Sequence, residues 1–589
     1  MNYALTKIGQ ESKKTSTFAA LKKLLSLMVE DKPRLVLAFI AILINSALNL
    51  AAPILVGHAV DTYIVTKQFH GVLVTSGILL VVFLVALVMS YLQTKLMGTV
   101  GQKMLYTLRN SIFTKLQQLP VAFFNQNKIG DLISRINNDT DKLNQFFSQS
   151  LMQFIASIFI MVGSGVFILV LHPKLGTSGL APALGLLIFT QLVSPWVKRK
   201  NSISLQSVGG MSAEIQESLN NFKVIVAFNR RDYFRKKFND VNDQNYTTAI
   251  KAGIANNIFV PVYGLCSNLA QLIVLAYGIY LISIGDFSLG LLISFLTYMT
   301  RFYDPLRHIA ALWANFQVAL AGWDRISEIL ALESDLVVAK GPWTKKHETT
   351  TSVLSFKDVS FQYPDGKEVL HHINFDLEPG KTYALVGPTG GGKTTTASLM
   401  ARLYDPTHGT VLLHGRDLRT FGPEERTKKI GFILQEPFLF TGTVRDNIVY
   451  GNEMYADYST TQLAEVLQES GLETLLTRFD KGLDTPVLAG GDAISLGQKQ
   501  LIAFIRAALR RPDILILDEA TANIDTVTEQ LLEEILKKLP KETTRVIIAH
   551  RLNTIENADE IFFINAGEVT LAGSMEHAVD MLLHGKRDS

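Results

Sequence analysis

The sequence predicts two folds in series, an α-helical domain of six membrane spans followed by an α/β domain built around a glycine-rich loop. Three observations carry that reading. Hydrophobic residues make up 48% of the 589 and charged residues only 19%, with a mean hydropathy of +0.22, whereas soluble domains carry roughly 25% charge. The charge deficit is local and falls before Gly322, in long runs without a single Asp, Glu, Lys or Arg. Beyond Val353 the pattern changes to short β-rich runs separated by turns.

The charge-free runs are Leu35–Gly57, Gly71–Thr94, Leu143–Pro173, Leu175–Val197 and Ala252–Gly285. Each exceeds the ~20 residues that a helix needs to cross the hydrocarbon. A sixth span is expected from Phe287, apolar to Thr300 and then interrupted by Arg301, Asp304 and Arg307. The segments Lys95–Lys142 and Lys198–Lys251 are too long for simple connections. Their apolar residues recur at helical spacing, as at Leu105, Leu108, Ile112 and Leu116, so the spans should continue as helices beyond the membrane.

Orientation follows from the same loops. Lys95–Lys142 and Lys198–Lys251 are rich in Lys and Arg, His58–His70 has one Lys, and Ile284–Asp286 has none. Basic residues stay on the cytoplasmic side, so a multi-pass cell-membrane protein with both termini in the cytoplasm is expected. Residues before Lys32 are mostly polar and the first span is too long for an h-region, so no cleaved signal peptide is expected. The single Cys266 excludes a disulfide within the chain. A net charge of +3 is close to balance and argues against a nucleic-acid partner.

The expected organisation is an N-terminal cytoplasmic or interfacial segment over 1–33, a transmembrane domain over 34–330, a linker over 331–352 and the α/β domain over 353–589. Phe18–Met28 reads as an interfacial amphipathic helix, and the polar stretch Gly341–Thr351 marks the boundary. In the α/β domain, strands are expected at Leu354–Phe361, Thr382–Val386, Lys429–Leu434, Ile514–Leu517 and Arg545–Ala549, alternating with helices.

Between the strand Thr382–Val386 and a helix starting at Lys393 stands Gly387-Pro-Thr-Gly-Gly-Gly-Lys-Thr394, a complete G-x-x-x-x-G-K-[ST] phosphate loop. Its glycines let backbone N–H groups curl around phosphates, Lys393 faces the β/γ oxygens and Thr394 can ligate Mg²⁺. The fold class is therefore an α-helical six-span transmembrane domain followed by an α/β P-loop nucleotide-binding domain. Downstream, the apolar run Ile514–Leu517 ends in Asp518 and Glu519. Asp518 is placed to hold Mg²⁺ and Glu519 to polarise the attacking water, which makes the chain an ATP hydrolase.

In this order and spacing the residues resemble the ATP-binding cassette transporters, specifically exporters whose membrane domain precedes the nucleotide domain in one chain. The resemblance covers nearly the whole sequence. It implies ATP and Mg²⁺ as cofactors, held by Gly387, Pro388, Thr389, Gly390, Gly391, Gly392, Lys393, Thr394 and Thr395. It implies that Tyr363 stacks on adenine, that Gln435 senses Mg²⁺ and the γ-phosphate, that His550 is the switch histidine, and that Asp525 lies in a dimer-interface loop. Pro120–Asp139 is similar to the first intracellular loop of these exporters, and Glu214–Arg231 to the second. Each such loop would present a short coupling helix to a nucleotide domain.

Two departures stand out. The family signature L-S-G-G-Q reads Ile494-Ser-Leu-Gly-Gln498 here. Ser495, Gly497 and Gln498 remain, but Leu496 replaces the first glycine where backbone should approach the phosphate. In the neighbouring loop the family's glutamate is Ala489. In this family each ATP is sandwiched between the phosphate loop of one half and the signature of the other. A complete phosphate loop beside a degenerate signature therefore implies a heterodimer whose second half has an intact signature, similar to bacterial multidrug exporters.

The expected function is ATP-driven export of small amphipathic compounds, multidrug or lipid-like, in contact with membrane lipids. The alternatives are a homodimeric lipid or peptide exporter and an ATP-gated channel or regulatory subunit. Intact Glu519 and His550 argue against the last. Asn45, Asn49, Gln191, Asn268 and Gln271 in the spans either line a cavity or bond helix to helix. Arg301, Asp304 and Arg307 are expected in the lower cavity, with an Arg301–Asp304 pair along the helix as the alternative.

Overall fold

The computed structural model describes residues 3–5, 31–339, 352–364, 366–488, 494–518, 525–548 and 558–584. The amphipathic run Phe18–Met28, the stretch Gly341–Thr351, Ala489, Glu519 and His550 lie outside the described residues. The chain divides into two compact units.

One unit is Thr6–Gln117 with Gly130–Ala331. Its helices are α1 (Lys32–Ile64), α2 (Phe69–Gln118), α4 (Ile129–Leu171), α5 (Pro173–Asn220) and α7 (Arg231–Ser283), all long and apolar enough to cross a membrane, together with α6 (Phe222–Ala227) and α8 (Leu289–Ala331). Helix α3 (Val121–Gln126) belongs to the other unit. Each charge-free run lies within one of the five long helices or overruns its end by no more than two residues, and on the other side the helices extend well past the runs, as the continued helical spacing of apolar residues requires.

The sixth helix, α8, is a single element through Pro305 despite its charges. Its N-terminus is fixed by Asp61 of α1, whose carboxylate accepts from Gly290 N at 2.7 Å and Ser288 Oγ at 2.5 Å. The acid satisfies donors that a helix start leaves unpaired. Just beside it α1 and α8 cross backbone to backbone: a Cβ on Gly290 would lie 2.0 Å from the carbonyl oxygen of Gly57. An apolar cluster around Leu50, Ile168, Val274, Phe295, Tyr298 and Met299 fills the space among α1, α4, α7 and α8.

The Arg301–Asp304 pair, the alternative to a cavity position, does not form. The Arg301 guanidinium turns instead to Asn49 Oδ1 on α1, at 3.4 Å, and Asp304 is exposed. The i, i+3 geometry permits the pair, but the neighbouring helix offers a polar partner at the same level. The side chain of Arg307 lies outside the described residues.

The other unit is Met1–Leu5, Gln118–Ile129 and Leu332–Ser589. Its strands are β1 (Leu354–Gln362), β2 (Glu368–Leu377), β3 (Thr382–Val386), β4 (His408–Leu413), β5 (Arg416–Asp417), β6 (Ile430–Ile433), β7 (Gly442–Thr443), β8 (Pro486–Val487), β9 (Ile514–Asp518), β10 (Thr544–Ile548), β11 (Glu560–Asn565) and β12 (Glu568–Leu571). Its helices after α3 are α9 (Lys393–Met400), α10 (Pro423–Lys429), α11 (Val444–Val449), α12 (Thr460–Glu469), α13 (Leu496–Ala508), α14 (Thr526–Lys538) and α15 (Met575–His584).

Six strands form a sheet in the order β12-β11-β3-β10-β9-β6, parallel except for β12. Both β3 and β9 are buried at every position, as expected of strands covered on both faces. An antiparallel sheet in the order β2-β1-β4-β5 packs on the same core. The expected strands were all found to within a residue or two. The sequence reading omitted β2, β4, β11 and β12, and the two-residue strands β5, β7 and β8. In β2 the alternation is broken at His372, which sits at φ 46° in a bulged register against β1, and a broken period hides a strand.

Helix α3 packs within this unit. Asn125 Nδ2 donates to the hydroxyl of Tyr404 at 2.8 Å, and burial raises the Tyr404 pKa. Near the end of α3, Gln126 Oε1 accepts from Tyr3 N at 2.7 Å and Asn127 Oδ1 from Leu5 N at 3.0 Å. Tyr3 in turn accepts from Asp335 N at 2.9 Å. The first residues, α3 and the segment after α8 are thus tied by side-chain bonds.

Candidate nucleotide-binding site

Strands β3, β10, β9 and β6 run parallel and in register, with Leu385 beside Ile548, Ile548 beside Asp518 and Leu517 beside Ile433. Their carboxyl ends therefore open on one edge of the sheet, where ligands of such sheets bind. The phosphate loop leaves β3 there, Asp518 ends β9 there, and Gln435 follows β6 there. Neighbouring strands lie roughly 4.8 Å apart, so about 14 Å of this edge carries the loop, a carboxylate and an amide.

The loop is shaped by backbone that only glycine can supply. Gly387 has φ 143°, and a Cβ there would fall 2.0 Å from the carbonyl of Ile564; one on Gly391 would fall 2.6 Å from the same oxygen. The loop is pressed against β11 and cannot move away. Pro388, Thr389 and Gly390 are exposed at its tip. Gly392 precedes α9, whose N-terminus points its free N–H groups into the loop.

Lys393 is buried, and its ammonium donates to the carbonyls of Gly387 at 2.8 Å and Pro388 at 3.0 Å. It is held across the mouth of the loop, where phosphate oxygens can replace those carbonyls as acceptors. Thr394 is exposed between buried neighbours, and Thr395 is buried with its hydroxyl 3.0 Å from that of Tyr363. Tyr363 stands edge-on to Phe361 and Tyr404. With Pro364, Tyr404 and Pro406 it lines a cavity of about 460 Å³. A ring beside the loop, a glycine cradle and an N-terminal helix dipole fit a nucleoside triphosphate. The Thr394 hydroxyl and the Asp518 carboxylate are the hard oxygen ligands that Mg²⁺ prefers.

Ser495 is the N-cap of α13, and its Oγ accepts from Gln498 N at 3.2 Å while Gln498 Oε1 accepts from Ser495 N at 2.9 Å. This reciprocal capping box keeps the helix start intact without the glycine. Leu496, the first helical residue, is partly buried and packs on the core that holds Leu501, Phe504 and Ile505. Gly497 is buried and faces Thr528, with room so tight that a Cβ would lie 3.1 Å from Thr528 Oγ1. Asp525 caps α14 by accepting from Thr528 N at 3.0 Å and from its hydroxyl at 2.6 Å. Those bonds, the hydroxyl's first, hold its carboxyl below the usual range. Asp525 and the signature are therefore linked through Thr528.

Sequence reasoning missed Gln500. It is buried on α13, and its Nε2 donates to the backbone carbonyl of Gln435 at 2.8 Å, joining the signature helix to the loop after β6. A polar residue on the apolar face of an amphipathic helix was the available signal.

Family comparison agrees with this geometry in both units. A model of the ABC transporter transmembrane region matches residues 35–306, and a second, ABC transporter, matches residues 370–522. The chain is 33% identical over 574 residues to an uncharacterized ABC transporter ATP-binding protein of Bacillus subtilis, covering 97% of this chain and 94% of that one. It belongs to the ABC transporters. Among its relatives are a multidrug resistance ABC transporter ATP-binding and permease protein of Lactococcus lactis, 32% identical over 97% of this chain and 95% of the relative. Another is a fatty acid ABC transporter ATP-binding/permease protein of Mycobacterium tuberculosis, 31% identical over 86% and 79%. The transporter carries one membrane domain and one nucleotide domain, which is the make-up of an exporter half. It spans the membrane several times, binds ATP and couples its hydrolysis to transport.

Proposed function

We propose that this ABC transporter exports amphipathic compounds as one half of a heterodimer with one competent and one impaired ATP site. The observation that carries the proposal is Leu496 at the first turn of α13. It stands beside Ser495 in place of the signature's first glycine, at the helix start where the phosphate held by an opposing half would sit, while the phosphate loop of the same chain is complete. Two copies would form two impaired sites, and a different partner with an intact signature would form one good one.

In that competent site Lys393 and the backbone of Gly387–Thr395 hold the triphosphate, and Tyr363 stacks on the adenine. Thr394, Asp518 and Gln435 hold Mg²⁺, which neutralises phosphate charge. Glu519 orients and polarises the attacking water, and His550 contacts the γ-phosphate. Ser495, Gly497 and Gln498 complete the second, slower site, with Asp525 at the interface between halves.

The need for a second half is supported by α6. Phe222, Val224 and, just after the helix, Phe228 are 54%, 54% and 74% exposed, an apolar cluster at a helix tip that a partner surface would cover. The basic loops support cytoplasmic termini. The bacterial relatives named for multidrug and fatty acid transport support a bacterial origin and a substrate with an apolar body.

The test is steady-state ATPase of the full chain alone and co-expressed with a second half, followed by Glu519→Gln and Ser495→Ala in membranes containing both. Glu519→Gln should lower turnover by about 10²-fold or more with binding kept, as expected on loss of a water-orienting group. Ser495→Ala should have a small effect. Equal, large losses from both changes would overturn the asymmetric heterodimer.

A further inference from the structure

Arg301 occupies an unusual place for a cation. Asn49, its partner on α1, lies well inside the charge-free run Leu35–Gly57, and Arg301 itself is 12 residues past Leu289, the start of α8. At 1.5 Å per residue that is about 18 Å along the helix, within a hydrocarbon core of about 30 Å. The level is pinned. The hydroxyl of Tyr298 donates to the backbone carbonyl of Leu50, and its ring stacks on Phe167 at 5.2 Å and 4°. One turn of α8 therefore cannot slide past α1 without breaking a buried bond.

No carboxylate neutralises this guanidinium among the described residues. Its one hydrogen bond among the described residues, to Asn49 Oδ1, is long, and Asn49 is itself engaged, with Nδ2 donating to the backbone and side-chain oxygens of Asn45 at 2.9 and 3.1 Å. One turn earlier on α1, Ser46 Oγ is buried and without a hydrogen-bond partner among the described residues. On the adjoining side, Gln271 of α7 reaches Thr300 Oγ1 at 3.4 Å. A polar strip of neutral side chains thus surrounds one unneutralised positive charge, between apolar walls. A charge at this depth is costly unless something supplies the opposite sign.

We infer that Arg301 selects the headgroup of the transported compound, and that the substrate class is amphiphiles with a carboxylate head. Guanidinium binds carboxylate through paired N–H donors. Asn45, Asn49 and Ser46 offer further polar contacts, and the apolar spans take the tail. An ammonium-headed amphiphile of equal length meets a like charge and gains nothing. This deepens the export reading and rests on it only for the movement of the bound molecule; the binding preference stands apart from ATP turnover.

The experiment uses the full chain in nanodiscs of neutral phosphatidylcholine. Binding of a dansylated fatty acid and of the amine with the same chain is read by fluorescence. The wild type should bind the acid about tenfold more tightly than the amine, equivalent to about 1.4 kcal/mol. Arg301→Gln should bring the two within about twofold, and Arg301→Lys, which keeps the charge without the paired donors, should keep only part of the preference. Asn49→Asp provides a second route, because it supplies an internal counter-ion with Arg301 still in place and should also abolish the preference. An unchanged preference in Arg301→Gln or Asn49→Asp overturns the inference, as does a wild type that favours the amine. So does a finding, with a co-expressed second half, that Arg301→Gln weakens assembly and leaves selectivity intact, since the partner would then neutralise the charge. Retained acid preference with no ATPase even when a second half is co-expressed would sink the export reading and leave this one standing.

Discussion

Arg135 Nη1 donates to the Glu328 carboxylate at 2.7 Å, joining α4 to α8 through a side chain with no exposed surface. The same guanidinium bonds Asp131 at 2.9 Å and the backbone carbonyl of Arg325 at 2.7 Å, while Arg325 bonds Asp131 and forms an ion pair with Asp139. Removing one member of a buried charge network costs more than the network contributes, because its partners are left uncompensated. Arg135→Ala should therefore destabilise the membrane unit by about 3 kcal/mol, read as a shorter half-life of detergent-solubilised protein on heating. Glu328→Gln, at the wetter end of the network, should cost much less. Equal effects would show that the charges act independently.

The crossing of Gly57 and Gly290 leads to a second expectation. The atom that a Gly290 side chain would strike is the backbone carbonyl of Gly57, which cannot rotate aside as a side chain would. Gly290→Ala should separate α1 from α8, release Asp61 from its helix cap and lower transport and thermal half-life together. Asp61→Asn, which keeps an acceptor for the cap, should be milder. Transport by the two variants, normalised to protein in the membrane, decides the point.

Gln500 is expected to affect coupling more than stability. Gln500→Leu removes one bond to the Gln435 carbonyl and also removes Gln500 Oε1, which is buried without a partner among the described residues. These two changes offset one another to within about 1 kcal/mol. The loop bearing Gln435 loses its tie to α13, so substrate stimulation of ATPase should fall several-fold with the melting temperature nearly unchanged. A large drop in melting temperature with normal stimulation would show that the residue is only structural.

Acid sensitivity should be partly traceable to Asp446, whose carboxyl is held below the usual range first by the Thr443 hydroxyl and then by the Thr443 N–H and Arg445. A depressed carboxyl contributes stability that is complete above the unfolded value near 3.9 and is lost as pH falls through the lower folded value. Asp446 also closes the capping box of α11. Asp446→Asn should therefore cost about 1 kcal/mol near neutrality, and its difference from wild type should shrink below about pH 4. Unfolding followed from pH 7 to 3 in both proteins measures this; a gap that widens in acid would reverse the sign.

Much of this was legible in the residues because the physics is local. Charge-free runs gave the spans, and eight contiguous residues gave the phosphate loop with its flanking strand and helix. The contacts that connect those parts were not legible. Nothing near Arg301 in sequence points to Asn49, and nothing near Asn125 points to Tyr404, since both pairs are made by elements far apart in the chain. Leu496 could be read as a departure from the signature, but not that its side chain would turn inward onto the core of α13. Asp525, expected at an interface, also caps a helix, which an Asp three residues before Thr528 permits without announcing.

That inward turn of Leu496 makes the altered signature hard to undo. Leu496→Gly would restore the family letter but would strip a packed side chain from the core, costing about half of the roughly 2 kcal/mol that full burial of a leucine provides. It would also put the most flexible residue at the first position of the helix, adding backbone entropy that folding must overcome. A lineage carrying this leucine faces a ratchet. The single reversion is penalised in folding before any gain in turnover can be selected, so the packing of one side chain holds the altered signature in place.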